Sequence, residues 1–221
     1  MGKWRYKKNS KIFTYRKRNM QLSDIVPVSV VEDILAHLRE QIQKSEKNYP
    51  CNKGKEDAVT GGLFNSLKTD WKNCGDWSWN IDYKISRQSA KGTFNEKETG
   101  ADGIISINVE CNDGESHTKS ILFQAKKERN FKELDEQIKK MNTILKGGNM
   151  VIVYSNKGFF AQTANENESA RSNEIKFDNY LKDVFFACKS GYWGRKIYIS
   201  DNQQIKLYCL AVNIKEESKM Q

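Results

Sequence analysis

Two apolar runs, residues 100–107 (GADGIISI) and 121–127 (ILFQAKK), carry polar side chains at their ends and leave few ways to fold. Asp102 opens the first run, while Gln124 and Lys126 close the second. Side chains alternate faces along a strand, so positions i and i+2 point the same way. Gln124 and Lys126 therefore share one face, and Ala125 turns into the opposite layer. Between the runs lies the segment CNDGE, 111–115, whose Asp-Gly dipeptide predicts a hairpin turn. The runs are thus expected to form neighbouring strands over 102–109 and 118–126. Packing alone does not account for a charged pair ending an otherwise apolar strand.

The rest of the chain supplies helices to cover such a sheet. Val31, Ile34, Leu35, Leu38 and Ile42 recur at helical spacing and predict a helix over 28–43, with Ser29 as N-cap and Glu32 as its capping-box partner. A polar link over 44–55 leads to a second helix over 56–68, with Ala58, Val59, Leu63, Phe64 and Leu67 as its buried stripe. Gly61 and Gly62 on that helix permit close packing against a sheet. Trp77, Trp79, Ile81, Tyr83 and Ile85 alternate with polar residues, as in a half-buried strand. The polar stretch 88–99 reads as a loop at the mouth of the site. Phe131, Leu134, Ile138, Met141, Ile144 and Leu145 define a helix over 131–145, ended by Gly147 and Gly148. The run 150–154 (MVIVY) has the character of a strand buried on both faces and parallel to its neighbour. A further helix over 177–188 and strands over 196–199 and 204–212 follow. This order describes an α/β protein with a central mixed sheet flanked by helices.

Composition narrows the class. With 38% hydrophobic and 29% charged residues and two prolines, the chain reads as globular. No apolar run approaches the roughly 20 residues of a membrane span, and no secretory signal is evident, so no membrane partner is expected. The five cysteines are scattered without a CxxC spacing, which points to free thiols in a reducing cytoplasm. Only two histidines are present, which nearly excludes histidine-rich metal sites. The net charge is +9, but residues 1–20 hold eight basic side chains and no acidic one. Trp4, Tyr6, Phe13 and Tyr15 are interleaved with them, a pairing suited to phosphate contacts and base stacking. We therefore expect a basic N-terminal arm, 1–20, on a single domain, 21–221. Lys7, Lys8, Arg16, Lys17 and Arg18 are its candidate nucleic-acid contacts. A solvated segment docking its aromatics on the body is the structural alternative.

Metal-assisted phosphodiester hydrolysis needs oxygen ligands for Mg²⁺, an activated water, and a cation near the developing charge. Asp102 offers a hard carboxylate, Gln124 a carbonyl oxygen, and Lys126 a cation that orients water and stabilises charge. Glu56 supplies the second carboxylate if its helix packs alongside the sheet, although first-turn capping would also explain it. Asp57 and Glu98 are substitutes. Gln137 and Lys140, on the helix after the second run, are more simply read as a solvated face. Trp71, Trp77 and Trp79 read as core or edge packing. The cluster 191–195 (GYWGR) reads equally as structure or site.

At this point the pattern resembles the PD-(D/E)XK nuclease superfamily, through Glu56, Asp102 and the tripeptide Gln124-Ala125-Lys126. The QXK form is similar to the Mrr-type branch, in which an apolar strand runs into Gln-Ala-Lys, then a helix, then another apolar strand. The resemblance covers roughly residues 50–165. It implies a restriction-endonuclease-like three-layer fold. It also implies catalytic roles for Glu56, Asp102, Gln124 and Lys126, with Glu56, Asp102 and Gln124 on Mg²⁺ (Mn²⁺ as substitute). The implied activity is endonucleolytic cleavage of DNA in restriction or anti-phage defence, with a homodimer as a reasonable assembly. Gln124 departs from the acidic residue of the main pattern, so a non-catalytic nucleic-acid-binding module on the same fold stands as an alternative. So does an effector activated by assembly or by a regulatory nucleotide.

Overall fold

The hairpin expected from the Asp-Gly turn forms as β3 (Gly103–Glu110) and β4 (Ser116–Lys127), antiparallel with Ser106 opposite Ser120. Cys111 N–H donates to Glu115 O at 3.0 Å, and Gly114 takes φ 85°, which closes the turn. The computed structural model describes residues 20–49, 55–87, 99–128, 130–145, 147–164, 174–193 and 206–218. Two helices precede the hairpin, α1 (Val28–Asn48) and α2 (Glu56–Leu67), then β1 (Thr69–Cys74) and β2 (Trp77–Arg87). After it come α3 (Leu134–Ile144), β5 (Asn149–Ser155), β6 (Gly158–Thr163) and β7 (Ile175–Lys176). Helix α4 (Phe177–Tyr180) continues as a π-helical segment, Leu181–Phe186, and is followed by β8 (Tyr192–Trp193) and β9 (Lys206–Glu216).

These strands form one mixed sheet in the order β1-β2-β9-β3-β4-β5-β6-β7, with β8 pairing β4 off that path. Strand β5 runs parallel to β4 and all seven of its residues are buried, as its unbroken apolar run requires. The strand near the end of the chain, β9, lies inside the sheet, antiparallel to β2 and parallel to β3.

Alternation along the strands divides the core between two faces. Ile105, Ile107, Ile121, Phe123, Ala125 and Ile152 pack under α1, α2 and α4. Ile104, Leu122, Val151 and Val153 pack on the other face against Leu134, Ile138 and Met141 of α3. The result is helix, sheet, helix, the layering the pattern called for. Ala125 enters the α1/α2 layer, as expected, so Gln124 and Lys126 stand on the α3 face. No helix among the described residues is long and apolar enough to cross a membrane. Cys74, Cys111, Cys188 and Cys209 are free thiols.

Several local expectations are corrected. Helix α1 starts at Val28 on Pro27, whose fixed φ pre-sets the first turn, rather than on a Ser29 cap. It runs on through the polar link to Asn48, and Val30 rather than Val31 is fully buried. Ala58 is exposed; Thr60 joins the buried side of α2 instead. Only Gly61 of the glycine pair faces the sheet, against Tyr83 and Tyr208. Strand β1, a largely exposed edge carrying Trp71 at 53% exposure, is invisible to a pattern search because it lacks an apolar face. Trp77 and Trp79 are core residues. The helix expected over 177–188 is α-helical for one turn and π-helical thereafter. Residues 1–19, 88–98 and 194–205, including the expected arm, mouth loop and strand over 196–199, lie outside the described residues.

Candidate functional site

Asp102 is held at the start of β3 by backbone on both sides. Its N–H donates to Phe123 O at 2.9 Å and its carbonyl accepts from Tyr208 N–H at 3.0 Å, tying it between β4 and β9. The flanking glycines are required. Gly100 takes φ 67°, and a Cβ there would lie 2.7 Å from Gln137 Cα; a Cβ on Gly103 would meet Tyr208 O and lie 2.5 Å from the Phe123 ring. With the backbone so placed, Asp102 Oδ2 accepts from Ala125 N–H at 2.7 Å and from Gln124 Nε2 at 2.6 Å.

Those bonds orient the Gln124 amide. Its Nε2 is committed to Asp102 Oδ2 and, at 3.3 Å, to Ala125 O. Its Oε1 is left buried without a hydrogen-bond partner. Gln124 as a whole is 1% exposed, so water does not satisfy that oxygen freely. A buried, unpaired carbonyl oxygen carries a desolvation cost of about 1–3 kcal/mol, which native structures tolerate where a ligand or function recovers it. Lys126, on the same face two residues along, is 7% exposed.

Glu56 reaches the same strand end from the opposite layer. Helix α2 is anchored over the sheet by Phe64, fully buried with its ring centroid 5.1 Å from that of Phe123. Tyr208 Oη donates to Asp57 O at 2.9 Å, and Tyr154 Oη donates to Thr60 Oγ1 at 3.0 Å. These contacts fix the first turn of α2, and Glu56 Oε2 accepts from Lys127 N–H at 2.9 Å. Burial raises the Glu56 carboxyl above its ordinary value, partly offset by the Lys127 amide and the Lys126 ammonium. Burial also raises the Tyr154 hydroxyl, and both Asp102 and Glu56 act on it in the same direction. The two carboxylates thus bear on one buried group beneath the end of β4.

The structure therefore brings Asp102 and Gln124 into direct contact, with Lys126 beside them and Glu56 on the next amide of the strand. Asp57 is exposed. Glu98 and the arm residues Lys7, Lys8, Arg16, Lys17 and Arg18 lie outside the described residues. Lys140 pairs with Glu136 on its own helix at 2.8 Å, as a surface residue does. Gln137, read from sequence as part of that solvated face, is half-buried against Gly100, and its Oε1 is a second orphaned oxygen. Gly100 was the available signal, since a glycine before Asp102 implies a close neighbour.

Hard divalent cations take oxygen ligands. Among the described residues no three His, Cys, Asp or Glu side chains gather as a metal-holding group. The donors at this strand end are instead two carboxylates and the spare oxygen of an amide. That set fits one hard cation, because Gln124 presents its oxygen rather than its nitrogen. Comparison with protein-family models, curated proteins and solved structures finds no match to this chain.

Proposed function

We propose that the chain is a metal-dependent endonuclease of the restriction-endonuclease-like, PD-(D/E)XK kind, cutting DNA in restriction or anti-phage defence. One observation carries the reading: the orphaned Gln124 Oε1, at the strand end that Asp102, Lys126 and Glu56 share. Asp102, Gln124 and Glu56 would hold Mg²⁺ or Mn²⁺, which when bound supplies charge neutralisation at the phosphate and a more acidic water. Gln124 Nε2 keeps the Asp102 carboxylate oriented. Lys126, nearly shut off from solvent, orients the attacking water and faces the charge that grows on the phosphate oxygens. Lys127 N–H holds Glu56 in place.

Purified protein with Mg²⁺ or Mn²⁺ is expected to cut plasmid DNA, and EDTA or Lys126→Ala to abolish cutting. Equal cutting by Lys126→Ala and the parent would overturn the assignment. One observation favours the binding-only alternative: two carboxylates, not three, reach the strand end. DNA retention in EDTA without cleavage in either metal would select it.

A further inference from the structure

A cleft of about 400 Å³ opens beside this strand end. Its floor is Val153 and Phe160, with Phe131 beside them and Glu128, Glu174 and Lys157 among its lining groups. Sheet register ties it to the candidate site. Lys126 pairs with Val153 and Val153 with Phe160, so all three stand in one row on one face. Lys126 is therefore one strand spacing, about 4.8 Å, from the cleft floor. Glu128 follows Lys127 at the end of β4, its N–H bonded to Tyr154 O at 2.8 Å.

We propose, resting on the nuclease reading, that this cleft takes a nucleobase whose adjoining phosphate lies at Lys126. The volume exceeds what a lone phosphate or ion fills and suits a planar ring. Phe131 and Phe160 offer apolar aromatic surface, on which any base stacks. The two carboxylates oppose a phosphate in the cleft itself. As acceptor-only groups they favour the amine edge of a base such as cytosine or adenine. Lys157, exposed on the turn between β5 and β6, and Lys126 leave the cations at the margins, where a backbone would pass. The base belongs to a strand under cleavage or to a free mononucleotide, and the two sources are separable.

The test titrates the full-length protein, in EDTA, with a single-stranded oligonucleotide carrying one 2-aminopurine, and separately with 2-aminopurine deoxynucleoside monophosphate. Quenching by stacking is expected with at least one probe: the oligonucleotide alone assigns the cleft to a strand, the monophosphate to a free nucleotide. Phe131→Ala should weaken that binding about tenfold. Glu128→Gln, an exposed change with little bearing on folding, should reduce a preference for cytosine over thymine in competing oligonucleotides. Absence of quenching with both probes overturns the proposal, as does affinity and base preference unchanged in both variants. Plasmid cutting without quenching would remove the cleft and leave the nuclease. Quenching without cutting would leave a base-binding cleft and remove the nuclease.

Discussion

Glu56 pits burial against use. Burial raises its pKa, so the folded chain binds this proton more readily than the unfolded chain does. Its stabilising contribution is full below the unfolded pKa and is lost as pH rises through the raised folded value. Metal binding runs the other way, since the ligand is the carboxylate. Cleavage should therefore decline on acidification from above the ordinary carboxylate range, as a pH–rate profile would record. Glu56→Gln should melt no lower than the parent at pH 7, yet lose about 10²-fold or more in cleavage rate. A variant that loses stability and keeps activity would show Glu56 to be a structural cap. Gly103→Ala, by forcing a Cβ onto Tyr208 O and the Phe123 ring, should cost about 1–3 kcal/mol in denaturant unfolding. The contact of Asp102 with the Gln124 strand was legible because the hairpin and the period of two are local signals. The free end of the Gln124 amide was not, since only the Asp102 contact decides which atom is spare. Glu56 was legible as a residue but not as a contact, because 71 positions separate it from Lys127.

Elements divide along the same line. The β3–β4 hairpin, α3 and the parallel β5 follow one another and were readable in order. Strand β9 was readable as a strand, yet nothing in its alternation says that it enters between β2 and β3. That pairing joins Trp77 to Glu216 and Gly103 to Tyr208, across more than half the chain. Only the burial gained by closing the sheet around it selects the position. Strand β9 also carries Tyr208, whose backbone holds Asp102 and whose hydroxyl holds α2. A chain ending at residue 205 should therefore lack a cooperative thermal transition. A truncated chain that melts cooperatively would show the remaining strands to form a sheet without β9.

On the scale of the whole molecule, the central sheet and its two helical layers were legible from the alternation of element types. Charge is organised separately: eight basic side chains lie within residues 1–20, ahead of a nearly neutral body. If the arm tracks phosphates, deleting residues 2–18 should weaken DNA binding. It should also flatten the plot of log K against log salt by about 0.9 per lost phosphate contact. An unchanged slope would make the arm structural. The central claim, that Glu56, Asp102 and Gln124 serve one hard cation, is tested most directly by anomalous diffraction from a crystal soaked in Mn²⁺. The account expects a single strong peak within about 2.0–2.3 Å of Gln124 Oε1 and of an oxygen of each carboxylate. A fully soaked crystal with no peak there, and Gln124 Oε1 still without a partner, would contradict it.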